Sequence, residues 1–157
     1  MRIRFTRNVS RPHVIRYLRD DGSETWMHAS DYFVHHDLSH YALEKLLGYK
    51  RAFNGMINAG MDIRDFEDRE KRLGMPIHDE AWYAENLANL FLVELTQGRF
   101  DDFNAVQQQA FREMKLSVPA PEITVESANA IRDYLASLIA QWQQLPSGET
   151  LELVFDA

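Results

Sequence analysis

The chain has 157 residues, 24 acidic against 17 basic side chains for a net charge of −7, 45% hydrophobic residues and no cysteine. That length suits one domain over residues 1–157, and the composition excludes disordered and fibrous classes, disulfides, thiolate metal ligands and cysteine nucleophiles. No apolar run approaches the roughly 20 residues of a membrane helix, and MRIRFTRNVSRP lacks the apolar centre of a secretory signal, so a cytoplasmic protein without a membrane partner is expected.

At the start of the chain, Ile3 and Phe5 alternate with Arg2 and Arg4, the period of a half-buried strand. His13 to Arg19 and Glu24 to Ala29 predict two more strands, joined through Asp20-Asp21-Gly22-Ser23. A two-residue Asp21-Gly22 turn of type I′ would set Tyr17 opposite Trp26 and Ile15 opposite His28. From Ser30 the period becomes helical. Tyr32 to Leu47 predicts a helix closed by Gly48, and Arg51 to Ala59 predicts another stopped at Gly60. Asp62 reads as the N-cap of a third segment, with Asp65 near its N3 position and Gly74-Met75-Pro76 closing it.

Asp79 caps a long helix through Leu95, with Trp82, Leu87, Leu90, Phe91 and Leu95 inward. Asp101 or Asp102 caps the next, where Phe103, Val106, Ala110, Phe111 and Met114 recur at helical spacing. Thr124 starts a last helix with Ala128, Ile131, Leu135, Leu138, Ile139 and Trp142 inward, and Leu151 to Phe155 alternates as a final strand. That strand needs partners, and the other β segments lie within residues 2–29. The expected fold is therefore α+β and mostly helical, with one small antiparallel sheet joining the two ends of the chain under five or six helices.

Four of the six histidines, His28, His35, His36 and His40, fall within thirteen residues. His36 and His40 stand at i and i+4 on one helix face, with Cβ atoms about 5–6 Å apart, where two imidazoles can share an ion. Glu44 extends the row by one turn. The rest of this helix is largely apolar, so the polar row is expected to be buried and to need partners or a metal. The string His36-Asp37-Leu38-Ser39-His40 resembles the H-E-x-x-H signature of metalloproteases, with Asp37 where that family has its general-base Glu. His36-Asp37 also resembles the core of HD-type metal phosphohydrolases, although that family is helical before the pair and residues 13–29 here read as a hairpin.

The pattern thus points to one divalent ion, zinc first and iron or manganese as alternatives, on His36, His40 and Glu44, with Asp37 as base and His35 as acid or orienting group. Other sources of a third ligand are His28, His78, Asp79, Glu85 and Glu94. Glu94 is notable because it lies between Val93 and Leu95, where a carboxylate is costly unless paired. The reaction class is hydrolysis of an ester, amide or phosphoester on a small-molecule substrate that the sequence does not specify. The competing reading is a non-catalytic protein-binding or regulatory domain, or a homodimer, with structural histidines. Six arginines and no acid occupy residues 1–19, leaving −13 on the remainder. That asymmetry favours intramolecular pairing over nucleic-acid binding.

Overall fold

The computed structural model describes residues 1–156, the side chain of Arg69 excepted. Four strands, β1 (Arg2–Thr6), β2 (His13–Leu18), β3 (Glu24–Ala29) and β4 (Thr150–Val154), form one antiparallel sheet in the order β3-β2-β1-β4. Alternation turns Ile3, Phe5, Ile15 and Tyr17 to the buried face, each fully buried. On the other face Arg4 pairs with Glu152 at 2.5 Å and Arg16 with Glu24 at 2.7 Å, while Arg7 and Arg19 donate to backbone carbonyls outside the sheet. The expected junction of the chain ends is present: Ile3 lies opposite Leu153 and Phe5 opposite Leu151.

The β2–β3 turn is one residue longer than expected. Arg19 N donates to Ser23 O at 2.9 Å, Gly22 N donates to Arg19 O, and Gly22 has φ +86°. This is a three-residue loop, a tight turn followed by a left-handed glycine, rather than a two-residue type I′ turn. One extra residue shifts the register by one, so Tyr17 faces Thr25, Ile15 faces Met27 and Arg16 faces Trp26. Such a slip exchanges the faces of the strand. Thr25 and Met27 turn inward, while Trp26 is 43% exposed with the Arg16 guanidinium 6.0 Å from its ring centre.

Among the described residues six helices pack with the sheet, α1 against it and α4 and α6 on α1: α1 (Asp31–Leu47), α2 (Phe53–Asn58), α3 (Arg69–Gly74), α4 (Asp79–Gln97), α5 (Phe103–Glu113) and α6 (Val125–Gln144). A 3-10 turn at Ile63–Phe66 lies between α2 and α3. Ser30 caps α1 and Gly48 ends it at φ +72°, a conformation that a glycine adopts without a Cβ penalty. α1 is central. Tyr41 OH donates to Val154 O of β4, and Ser39 Oγ donates to Ala88 O of α4 at 3.1 Å, an approach that only small side chains allow.

The segment after Asp62 is two elements, because Asp68 provides a second cap by accepting from the backbone of Glu70 and Lys71. On α4 the cap is His78 rather than Asp79, through Nδ1 accepting from Glu80 N. Its inner face is Ala81, Ala84, Leu87, Ala88 and Phe91, whereas Trp82 and Leu95 are 38% and 47% exposed. Asp102 caps α5, whose Met114 end is exposed, and Thr124 caps α6 with its six predicted inward residues all buried. Among the described residues, no helix is long and apolar enough to cross a membrane.

Candidate metal centre

α1 presents His36 and His40 toward α4, where the row of small alanines lets the helices approach and places Glu85 opposite the two rings. Glu85 Oε2 lies 3.1 Å from His40 Nε2 and 3.6 Å from His36 Nε2, and one donor atom from each of the three residues lies within 4.8 Å of the others. Donors held 2.0–2.2 Å from a tetrahedral ion stand about 3.3–3.6 Å apart. The two Glu85–histidine separations lie near that spacing, and the three donors together fall within 4.8 Å, so they form an open three-donor cluster.

Behind each donor stands a second group that fixes its orientation. His40 Nδ1 meets Glu44 Oε1 at 2.9 Å, and Glu44 Oε2 accepts from Asn54 N at 3.0 Å, at the start of α2. His36 Nδ1 faces Asp37 Oδ1 at 3.4 Å, and Asp37 Oδ2 accepts from Tyr17 OH at 2.9 Å. Glu85 Oε1 accepts from Asn89 Nδ2 at 3.0 Å, one turn along α4, which leaves Oε2 for the histidines. An imidazole whose Nδ1 proton is held by a carboxylate keeps its Nε2 lone pair for a ligand, the arrangement usual behind metal-bound histidines.

The electrostatics follow from burial and these contacts. Burial opposes a charge on His40, but the bonds to Glu44 and Glu85 outweigh it and raise its pKa to about 10. His36 is also raised, its burial overcome by Asp37 and Glu85. Glu85 is driven well below the usual carboxylate range, because contact with both histidines exceeds the cost of its burial. Burial pushes Glu44 up against the pull of His40, and it raises the Tyr17 hydroxyl strongly, with Asp37 adding to the shift. A proton on His40 thus occupies the place between Nε2 and Glu85 that a cation would take.

No protein-family model, curated protein or solved structure matches the chain. The residues alone carry the functional argument. Of the predicted ligands, the structure brings His36 and His40 together. Glu44 instead lies on the Nδ1 side of His40, fully buried, and Glu85 stands at the Nε2 side. Glu85 comes from a helix 45 residues further along, and the signal for it in the sequence is its place among Ala81, Ala84 and Ala88, the narrow face of α4.

The two expected acid–base groups are placed differently from that role. Both Asp37 oxygens are engaged, with His36 and Tyr17. His35 is half-buried, its Nε2 is enclosed without a hydrogen-bond partner, and burial lowers its pKa against the influence of Asp31. The other alternative ligands lie elsewhere. His28 is exposed on β3 beside Trp26, His78 and Asp79 form the start of α4, and Glu94 is paired with Arg132 through two bonds of 2.7 and 2.8 Å and accepts from Phe100 N.

His36, His40 and Glu85 form one end of a cavity of about 510 Å³ between α1, α4 and the α2–α3 segment. An ion there, held by three protein donors, would keep positions open toward the cavity.

Proposed function

We propose that the chain is a metal-dependent hydrolase that binds one divalent ion through His36, His40 and Glu85, with zinc the first expectation and iron or manganese the alternatives. The observation that supports this reading is the double arrangement of the donors: three ligand atoms within 4.8 Å of one another, each faced from behind by Glu44, Asp37 or Asn89. Two imidazoles and one carboxylate with open positions form a donor set used by hydrolytic zinc and by non-haem iron. Such an ion polarises a carbonyl or phosphoryl oxygen and brings the pKa of water toward 7.

The chain's own groups do the rest. Glu44 and Asp37 face the Nδ1 atoms of His40 and His36 and keep the rings turned with Nε2 toward the centre. Asp37 serves as an orienting group, its oxygens being occupied. Besides Asp37 and Glu85, Glu67 is the carboxylate on the cavity wall, and it is the candidate for the base that receives the water proton.

The test is metal content by mass spectrometry on protein freed of any polyhistidine tag, beside His36→Ala, His40→Ala and Glu85→Gln. Near-stoichiometric metal in the wild type, lost in both histidine variants and reduced in the third, is the expected result. No metal even after zinc addition would overturn it. The cluster would then be a structural ion-pair network, and the reading of a non-catalytic binding domain would take its place.

A further inference from the structure

Away from the three donors the cavity wall is apolar, with Met27, Phe53, Met56, Ile63, Phe66 and Trp82 as its main surfaces. Its volume of about 510 Å³ falls in the range of sites that enclose drug-sized ligands, about 300–1,000 Å³. Besides the histidines, the charged groups on this wall are Asp37, Glu67 and Glu85 against Arg72 alone. With a divalent ion bound, the three carboxylates balance the ion and Arg72, so no net positive charge is left to offset the lost hydration of an anionic head group. An uncharged carbonyl meets no such penalty, and each methylene buried behind it tightens binding about fourfold. The thioether side chains of Met27, Met56 and Met75 adapt to chains of differing shape.

Building on the metal-centre reading, we infer that this cavity takes the apolar acyl group of an uncharged carboxylic ester or amide, with the scissile carbonyl at the His36/His40/Glu85 end. Phosphoesters are thereby the disfavoured branch of the hydrolysis class. In the reaction the oxygen of water bonds to the carbonyl carbon and the C–O or C–N bond breaks. One water proton goes to the departing alcohol or amine and the other stays on the new carboxyl group or passes to solvent. No oxidant or reductant is consumed.

The test separates binding from chemistry. Trp82 lies on the wall, so its fluorescence reports occupancy, with Trp82→Phe as the control that must remove the signal. N-butyloctanamide and octyl phosphate are titrated into metal-stripped and zinc-loaded protein. The amide should saturate with both forms, at least tenfold tighter than the phosphate. Binding should weaken at least tenfold in Ala81→Leu, which fills the cavity, and in Leu73→Glu, a rim position 79% exposed and therefore safe for folding. Zinc-dependent cleavage of 4-nitrophenyl esters should rise from acetate to octanoate, with bis(4-nitrophenyl) phosphate left nearly untouched.

Failure of the amide to saturate, equal binding of octyl phosphate, or unchanged binding in both variants would overturn the cavity assignment. Zinc-dependent cleavage without dependence on acyl length would also overturn it, while leaving the metal-centre reading intact. Saturable, variant-sensitive amide binding without zinc-dependent cleavage would do the reverse: it supports the ligand class and overturns the hydrolase reading.

Discussion

The two imidazoles of the centre depend on carboxylates that never face the cavity opening as free groups. Glu44 is fully buried, and its second oxygen is held by the backbone of Asn54. Removing its charge while keeping its shape should leave the fold and loosen the hold on His40. Groups of this kind change metal affinity about 10–100-fold when replaced, so Glu44→Gln and Asp37→Asn should each weaken zinc by that factor in competition with a chromophoric chelator. Affinities within twofold of wild type would show that the orienting contacts are idle.

A second buried carboxylate has a different task. Burial opposes its charge, but Arg132 and the Phe100 N–H lower the pKa of Glu94 below its unfolded value. Its stabilising contribution is therefore fully present above the unfolded carboxylate pKa and lost as pH falls through the folded one. Urea unfolding should show wild type losing stability below about pH 4.5, the unfolded value, with Glu94→Gln flatter across that window and less stable at pH 7 by about 1.5–3 kcal/mol. Equal pH slopes would remove Glu94 from the account.

At this scale the sequence showed the histidine pair and the cost of Glu94, because both are local statements about spacing and neighbours. Glu85 could not be selected among its alternatives, since its partnership depends on how closely two helices approach.

Among the elements, caps were the most legible signals. Gly48, Asp62 and Thr124 each occupy the boundary read for them, and Asp102 is the member of the Asp101/Asp102 pair that caps α5. Asp68 escaped notice because Asp62 already appeared to start that segment. The β3 register was lost for a similar local reason: Asp21-Gly22 suits a two-residue turn, but Gly22 adopts its positive φ as the last residue of a three-residue loop. On α4 Leu87 and Phe91 are buried as expected, but Trp82 and Leu95 are partly exposed because the helix also turns its alanines inward.

α2 shows how an element without a metal ligand can position those that carry one. A Cβ on Gly55 would overlap the Lys50 carbonyl, so the turn before α2 can close only over a glycine. Gly55→Ala should cost about 1–3 kcal/mol in denaturant unfolding. It should also weaken zinc, because it displaces the Asn54 N–H that holds Glu44. A stability loss with unchanged metal affinity would separate α2 from the centre.

For the molecule as a whole, the α+β class followed from one requirement, that the strand expected at residues 151–155 find partners, and the sheet order β3-β2-β1-β4, with β4 at Thr150–Val154, meets it. Packing order among the helices was not legible, because it depends on which helix faces complement one another. β1 is central, with Ile3 and Phe5 covered on one side only by Leu153 and Leu151. Deleting residues 149–157 should therefore abolish cooperative thermal unfolding rather than lower its midpoint, as followed by near-ultraviolet circular dichroism. A truncated chain with a sharp transition would contradict that dependence.

The same pairing sets a condition on synthesis. Of the four strands β1 is made before the others, and its β4 partner follows more than 140 residues later. At about 5–20 residues per second, the edge of β1 that awaits β4 stays open for roughly 7–30 s, with its backbone donors and acceptors unmet along that side. During that interval the nascent β1–β2–β3 meander offers a template to any neighbouring strand. Yield of folded protein should accordingly depend on chaperones that cover nascent β edges.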